Sequence, residues 1–361
     1  MNNLKKLGLT ALAGSLVAVN ANAGELSVSG AFNATYVSAD GNTGTLATDH
    51  GVGLGNDKDF GVSGSGELDN GWTFAGNTAL KEASGFDISS SNLSLTMGSM
   101  GTISTGSATG GSSTKYDQQT PTAYEEIDDF AGTTLSANLV GSWADNNSLI
   151  YNSPSIDLMG MTASFDLEYS PEASGTSPND GGYNNSTEFN GGRSLGVTVS
   201  GSGLTVGVYG AERDNDGGTA RDKDAFEGVW YANYSMGPVS VGFSQSYHDS
   251  GQFVASETTK AAKVVNTAGG LFETEMYSIA FNVNDNLSIS YAKAEDTYDA
   301  QSHNSSGTET LDMTIDHKSI QAAYTMGSMS IKAQRTETDN VKYDADGGSL
   351  TKTELALGLA F

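Results

Sequence analysis

The sequence contains no cysteine, only 5 prolines, and far fewer basic than acidic residues. The lack of cysteine rules out disulfides, so backbone pairing and burial must hold the fold together. The 17 Lys and Arg residues stand against 43 Asp and Glu, which gives a formal net charge of -26. Such a charge argues against nucleic acid as a partner, because phosphates require a basic surface. No stretch after Gly24 is apolar enough for a membrane helix.

Residues 1–23 have the form of a secretory signal peptide. Lys5 and Lys6 precede an apolar run over 7–19 that is too short to span a bilayer, and residues 21–23 have the small-x-small pattern of a cleavage site. We therefore expect Gly24 to be the first mature residue, and the protein to be exported from the cytoplasm.

Residues 24–361 alternate between apolar and polar side chains with a period of two. From Leu26 to Tyr36 every second residue is apolar or glycine, and the residues between them are mostly small or polar. The same alternation returns at 60–68, 161–169, 195–199, 204–208, 230–236, 239–243, 277–283, 287–291, 320–326, 329–333 and 355–361. This pattern predicts β-strands with one apolar face.

The links between these strands alternate in length. Tight turns are predicted at 69–71, 98–101, 157–160, 201–203, 236–238, 284–286 and 327–328, and long polar loops at 38–57, 106–147, 171–192, 214–223, 250–271, 299–312 and 343–348. Short turns on one rim and long loops on the other are typical of a bacterial outer-membrane barrel. Counting through the links predicts an all-β, 16-stranded antiparallel transmembrane β-barrel over residues 24–361.

The second face of each strand distinguishes this barrel from a soluble sandwich. Faces such as the alternate residues from Ser194 to Ser200 are uniformly small and hydrophilic. Sixteen strands enclose a lumen too wide for side chains to fill, so these faces must line water while the apolar faces meet lipid. Aromatic residues near predicted strand ends fit interfacial girdles: Tyr36, Trp72, Tyr169, Trp230, Tyr234, Tyr291, Tyr324 and Phe361.

The third long loop, about 107–147, interrupts the alternation for longer than any other stretch. Thr120 and Pro121, followed by Glu125 and Glu126, predict a short helix, since this is the usual order at a helix start. We expect this loop to fold into the lumen and to bring Glu125, Glu126, Asp128 and Asp129 to its narrowest point, with Tyr124 beside them. The alternative is an ordinary acidic surface loop.

Strand parity places further charged residues in the lumen. The predicted bases are Lys81, Arg213, Lys332 and Lys352, and the predicted acids are Asp59, Glu67, Asp166, Glu168, Glu227 and Glu354. Acids outnumber bases on this wall even before the loop is counted. We therefore predict a pore that prefers cations.

Four features together resemble the general (non-specific) porins of Gram-negative bacteria, especially the alphaproteobacterial type. Residues 21–23 are followed by Glu25 to Gly30; residues 98–106 are similar to a Gly-x-Phe-Gly-Thr-x-x-x-Gly motif; residues 147–154 match Asn-Ser-x-x-Tyr-x-Ser-Pro; and Phe361 closes an alternating strand. The resemblance implies a homotrimer of water-filled barrels in the outer membrane, through which small hydrophilic solutes diffuse. Met100 replaces the usual Phe, and no Arg precedes the Ser-Pro motif, so the arginine cluster typical of the family is in question.

Other functions are less well supported by the sequence. The four histidines have no spacing with Ser or Asp that indicates a nucleophile and base, so we expect no enzymatic activity. We expect no cofactor; the acidic turns at 214–217 and 344–347 are candidates for structural Ca²⁺ but lack the downstream Glu of a calcium loop. Lipopolysaccharide is an expected neighbour of the long loops. The alternatives are a substrate-specific channel, such as a sugar-selective one that uses Tyr209 and Tyr231, and a surface adhesin or receptor.

Overall fold

The structure, a computed structural model, describes residues 25–43, 46–82, 86–107, 111–117, 119–127, 146–171, 189–215, 224–249, 271–299, 312–343 and 348–361. The predicted signal peptide lies outside the described residues. None of the helical segments within those ranges is long and apolar enough to cross a membrane.

Seventeen strands are present within the described ranges, and all of them belong to one antiparallel sheet. They are β1 (Glu25–Thr43), β2 (Leu46–Glu67), β3 (Thr73–Glu82), β4 (Phe86–Thr96), β5 (Thr102–Ser107), β6 (Asn146–Asn152), β7 (Ile156–Leu158), β8 (Met161–Ser170), β9 (Phe189–Gly201), β10 (Leu204–Asn215), β11 (Ala225–Met236), β12 (Val239–Asp249), β13 (Leu271–Asn282), β14 (Leu287–Asp299), β15 (Met313–Met326), β16 (Met329–Asp339) and β17 (Ser349–Ala360). Short 3-10 turns lie at Gly98–Met100, Ser113–Lys115 and Val341–Tyr343.

Two of the seventeen strands are pieces of one barrel strand, so the barrel has the predicted 16. Both β6 and β7 pair with β8, and the chain between them contains Ser153 and Pro154. Proline has no N–H to donate to a sheet. The Ser153 hydroxyl accepts a hydrogen bond from the Phe165 N–H at 2.8 Å and so replaces a ladder partner.

The sheet closes on itself where β1 pairs with β17, and Ala31 lies opposite Ala360. Beyond that pair, Gly30 and Phe361 exchange two backbone hydrogen bonds of 3.0 Å. The Phe361 ring stacks on Phe32 with 5.5 Å between centroids and covers Gly30, where a Cβ would come within 2.6 Å of the ring. Glycine at position 30 therefore allows the ring to lie flat across the seam.

The two faces of the sheet differ as the alternation predicts. Large apolar side chains are exposed on the outer face of almost every strand, for example Leu167, Val208, Ile279 and Ile320. The opposite, inner face carries small and polar residues, and many of them are buried. An apolar surface of this extent requires a hydrocarbon environment.

The first predicted long loop is wrong. The sequence predicts a loop over 38–57, but β1 and β2 continue as paired strands through that region, with Ser38 opposite Val52 and Gly41 opposite Asp49. Val52 and Leu54 alternate with glycines, and this alternation satisfies the strand period although the segment is rich in polar residues. The backbone hydrogen bonds of the hairpin replace those that water would make with a loop.

Candidate functional site

The third long loop contributes residues 111–117 and 119–127, here called the loop segment. Its contacts run along the inner face from β8 to β17. The wall side chains that bond to the loop segment lie on the inner faces of their strands, opposite the exposed apolar faces.

The loop segment begins against β8 and β9. The Ser112 N–H and hydroxyl both donate to Oε2 of Glu168, at 2.9 and 2.6 Å, and the same hydroxyl lies 2.9 Å from that of Ser194. Glu168 is buried, so these donors compensate its carboxylate for lost water. Gly111 is packed so closely that a Cβ there would lie 2.7 Å from Glu168 Oε1.

One strand residue, Asp166, anchors the next two loop residues. The Lys115 ammonium forms an ion pair with Asp166 and also donates to Asn152 on β6. The Tyr116 hydroxyl donates to the second carboxylate oxygen of Asp166 at 2.6 Å. Burial raises the pKa of Tyr116, and its hydrogen bond to Asp166 raises it further, so the hydroxyl remains a donor.

Tyr116 also joins two wall tyrosines in an apolar cluster. Its ring stacks on Tyr209 with 5.1 Å between centroids and lies 6.5 Å from Tyr231. The three side chains are 0%, 3% and 4% exposed. Gly196 lies beneath the Tyr116 ring, and a Cβ at that position would overlap it. Tyr209 and Tyr231 therefore hold the loop and offer no surface to a sugar in the lumen.

The middle of the loop segment packs on β11 and β12. Asn233 donates to the Gln119 carbonyl, and Pro121 lies over Gly242, where a Cβ would overlap the proline ring. The predicted helix at Thr120 is wrong, because residues 119–127 contain no helical turn.

The backbone groups that a helix would have satisfied are bonded to the wall instead. The Ala123 N–H donates to the Ser290 hydroxyl at 2.9 Å, and the Tyr124 N–H donates to Gln321 Oε1 at 2.8 Å. Gln321 returns a hydrogen bond of 2.8 Å to the Glu125 carbonyl. These partners compensate the backbone for the hydrogen bonds of the missing helix.

Tyr124 reaches furthest along the wall. Its hydroxyl donates to Glu354 Oε1 on β17 at 2.6 Å, and the Lys332 ammonium lies 4.9 Å from its ring centroid. Such a position suits a cation–π contact. Burial raises the pKa of Tyr124, and the bond to Glu354 adds to that effect. Glu354 also pairs with the buried Lys352 at 2.8 Å.

The described part of the loop ends at Ile127. This side chain is 2% exposed and packs against Met276, Ala292 and Ala294 on β13 and β14. Small alanines on the inner face make room for it. The predicted constriction residues Asp128 and Asp129 lie outside the described residues.

A cavity of about 270 Å³ lies between the loop segment and the inner faces of β1, β2, β16 and β17. It is lined by Asn33, Thr35, Asp57, Tyr124, Glu125, Ser330, Lys332, Glu354, Ala356 and Gly358. Three carboxylates and one ammonium thus border one water-accessible space. Charges that lie within a few ångströms of each other are only weakly screened at physiological salt.

The structure brings some of the predicted site residues together and separates others. Tyr124, Glu125 and Lys332 line the cavity. Arg213 instead pairs with the buried Glu227 on β11, at 3.1 Å. Lys81 lies opposite Asp59 in the sheet register, but its side chain is outside the described part.

Glu126 is exposed. Asp57 lines the cavity although the sequence placed it at the end of a loop; extending the alternation of β2 past Phe60 would have identified its inward face. Among the described side chains, no group of three or more His, Asp or Glu fits a metal ion.

Comparisons with known proteins agree with this architecture. A protein-family model described as Gram-negative porin matches residues 8–361. OmpF of Salmonella typhi, solved in complex with daunomycin, superposes with a TM-score of 0.66 over 96% of this chain and 100% of that chain, at 12% identity.

Two further solved structures are similar. An anion-selective porin from Comamonas acidovorans gives a TM-score of 0.61 over 94% of this chain and 100% of that chain, at 16% identity. In-vitro folded OmpT, an outer membrane protein of Vibrio cholerae, gives 0.61 over 96% and 100%, at 12% identity. Likeness at these identities is a likeness of fold. The curated proteins contain no match to this chain.

Proposed function

The chain belongs to the Gram-negative porin family and is an outer-membrane channel for small solutes, and we propose that hydrophilic solutes diffuse through it passively with a preference for cations. The observation that carries the proposal is the cavity beside the loop segment. Asp57, Glu125 and Glu354 border it, and Lys332 is the base among its lining residues.

The size of the preference follows from Coulomb's law. One carboxylate about 5 Å from a monovalent ion contributes roughly 0.8 kcal/mol in a water-like medium, or about fourfold in local concentration. Glu354 is paired with Lys352 and accepts from Tyr124, so its field is partly compensated. Asp57 and Glu125 then outweigh Lys332, and a cation preference of a few-fold is expected.

We further propose that the loop segment is the constriction. Its anchors extend from Glu168 on β8 to Glu354 on β17, so the open part of the lumen lies toward β1, β2 and β3. Asp128 and Asp129 stay predicted members of this constriction.

The experiment is a reversal-potential measurement on the purified protein in a planar bilayer under a KCl gradient. A cation-selective potential supports the proposal, and an anion-selective potential contradicts it. Flux of neutral sugars that rises linearly with concentration supports a general pore; saturable flux of a single sugar would favour the substrate-specific alternative. The burial of Tyr209 and Tyr231 speaks against that alternative.

A homotrimer is proposed on the basis of the family. On the outer face of β2 and β3, Gly64 and Gly76 are cross-strand partners, and the absence of side chains there would allow close contact with a second copy. Chemical cross-linking of the protein in its native membrane should give a trimer band. The narrower resemblance to the alphaproteobacterial type, the signal peptide, the lipopolysaccharide contact and the absence of enzymatic activity and cofactors stay predictions.

A further inference from the structure

A second segment turns into the lumen at the long-loop rim. It is the 3-10 turn Val341–Tyr343 between β16 and β17, here called the mouth turn. Its contacts extend beyond the two strands that it joins. Val341 is buried and packs against Leu350 and Ala39 on the inner faces of β17 and β1. The mouth turn therefore lies inside the barrel, against the wall.

Tyr343 extends the mouth turn in the other direction along the wall. The centroid of its ring lies 5.8 Å from that of Phe272 on β13 and 5.5 Å from that of Tyr298 on β14. Ile315 on β15 completes this buried cluster. Neighbouring strands lie about 4.8 Å apart, so β13 is roughly 14 Å from β16. A link that only joined β16 to β17 would not reach so far across the inner wall.

A hydrogen bond between Tyr343 and Asp296, here called the latch, fixes the ring in this position. The Tyr343 hydroxyl donates to Oδ2 of Asp296 on β14. The Thr274 hydroxyl on β13 donates to the other carboxylate oxygen, Oδ1, at 3.1 Å. Asp296 is 0% exposed, and these donors compensate its carboxylate for lost water.

The backbone of the mouth turn has an unfavourable conformation. Asn340 and Tyr343 have φ angles of 57° and 54°, in the left-handed region that favours glycine. For a bulky residue such as tyrosine this conformation is an outlier, and it persists only where surrounding contacts enforce it. The ring cluster and the latch supply these contacts. Loss of the latch should therefore release the mouth turn from the wall.

The mouth turn lies between the long-loop rim and the cavity of about 270 Å³. Thr35 and Glu354 line that cavity. Ala39 and Leu350, which contact Val341, lie four residues closer to the rim on the same two strands. Four residues correspond to about 13 Å along a strand. A solute that enters along β1 and β17 therefore meets the mouth turn before it reaches the cavity.

We propose that the mouth turn is a size-selective entrance to the channel and that Asp296 is the positioning residue that holds it in place. The inference rests on the proposed function, the diffusion of solutes through the lumen. The latched turn narrows the path along β1 and β17, so it slows large solutes more than small ions. Asp296 and Tyr343 are themselves buried and touch no passing solute. Release of the latch should change the size limit and leave the charge preference unchanged.

The first experiment breaks the latch and measures the entrance. Tyr343→Phe keeps the ring cluster but removes the hydroxyl, so the population of the released turn should rise at least about tenfold, the factor for one hydrogen bond to a carboxylate. Liposome swelling with a size series of neutral sugars measures the entry of solutes. We expect the largest permeant sugars to enter faster relative to the smallest, while the reversal potential in a planar bilayer stays the same.

Matched variants separate the latch from a general loss of stability. Tyr277→Phe removes a hydroxyl that donates to Glu275 at 2.9 Å on the outer face of β13, and this variant should admit sugars as the unmodified protein does. Asp296→Asn keeps an acceptor for Tyr343 but loses the charge. Its size limit should therefore lie between those of the unmodified protein and Asp296→Ala.

Thiol labelling reports the position of the mouth turn directly, because the sequence contains no cysteine. The thiol of an Ile315→Cys variant is covered by Tyr343, and that of an Ala292→Cys variant is covered by Ile127 of the loop segment. Addition of Tyr343→Phe should raise the labelling rate of the first thiol about tenfold, in proportion to the released population, and leave that of the second unchanged.

Unchanged labelling of Ile315→Cys after the addition of Tyr343→Phe overturns the latch. Increased labelling with an unchanged size limit overturns the role of the mouth turn as the entrance, and so does a Tyr277→Phe variant that shifts the size limit as much as Tyr343→Phe. Conductance separates the two levels of inference. A protein that conducts with a cation preference but shows no effect of the latch overturns the mouth turn alone, and a protein without conductance overturns the channel itself.

Discussion

The inner wall has two regions that differ in what their charged residues do. From β8 to β15 the loop segment contacts the wall; Asp166 and Glu168 are buried there and accept hydrogen bonds from the loop segment, and buried Glu227 pairs with Arg213. On β2 and β3 the inner side chains, for example Ser63 and Asn77, stay exposed. Asp166 and Glu168 on the covered wall therefore anchor the loop segment, and we predict that the carboxylates at the uncovered cavity, such as Asp57, act on solutes. A count of inner-face acids does not separate these two uses.

The variant with the largest expected effect fills the space between the loop segment and β9. In Gly196→Val the side chain overlaps the Tyr116 ring, so the first half of the loop segment must move away from β9. Overpacking of this kind costs about 1–3 kcal/mol. We expect single-channel conductance to rise and the size limit for neutral solutes to widen. Val197→Leu on the outer face of the same strand is the control, and an unchanged size limit in a folded Gly196→Val variant would contradict the role of the loop.

A covered carboxylate should behave differently from an open one. Glu168→Gln keeps the shape but replaces the charged acceptor of Ser112, and each such bond is worth about 1.5–3 kcal/mol. We expect more open-channel noise and a lower thermal stability with little change in ion selectivity. Reversal potentials and noise spectra recorded from the same bilayer measure both effects, and a selectivity loss as large as that of Glu125→Gln would refute the distinction.

Removal of charge at the open cavity should alter selectivity and leave the loop in place. Asp57→Asn and Glu125→Gln are each expected to reduce the cation preference by up to about fourfold, the value for a carboxylate near 5 Å in a water-like medium. The conductance at high salt, where charges are screened, should change little. A reversal potential that neither variant shifts would show that the cavity is not the selective passage.

Substitution of the cavity lysine should have the opposite sign and a smaller size. Lys332→Gln removes positive charge beside Asp57 and Glu125, so the cation preference should increase. The increase is limited because the ammonium already interacts with the Tyr124 ring at 4.9 Å. Lys293→Gln on the outer face is the control and should leave the reversal potential unchanged.

The smallest expected effect is that of Tyr124→Phe, which removes one hydrogen bond to Glu354 and about 1 kcal/mol of local stability. Burial raises the pKa of Tyr124 above its ordinary value, so the donated bond is complete below about pH 10 and is lost only above that pH. Between pH 7 and 9 channel noise in the unmodified protein should be constant and lower than in the variant. A rise in noise across that interval would contradict the assignment.

The strands could be predicted from the sequence because each depends on a local pattern. The alternation of apolar and polar residues predicted which side chains of β8 to β17 point outward. The turn residues predicted where most of these strands end. The site depended on contacts that no local pattern encodes. Thr120 and Pro121 have the residue order of a helix start, yet Ser290 and Gln321, more than a hundred residues away in sequence, bond the backbone that a helix would have used.

The charged residues show the same limit. Parity correctly places Glu354 and Arg213 on the inner face, but it does not tell that Glu354 accepts from Tyr124 or that Arg213 pairs with Glu227. Asp57 was missed for another reason, since the polar composition of residues 38–57 concealed the continuation of β2. The register of strand pairing decides which side chains meet across the barrel, and the whole sheet sets that register.

The seam between β1 and β17 has a consequence for biogenesis. Ala31 meets Ala360, so this contact spans nearly the whole polypeptide, and its loop-closure entropy is among the highest in the molecule. Until both ends have been delivered, two strand edges remain unpaired and prone to aggregation. The edges of β1 and β17 therefore stay open to wrong pairing until the two strands join and close the sheet.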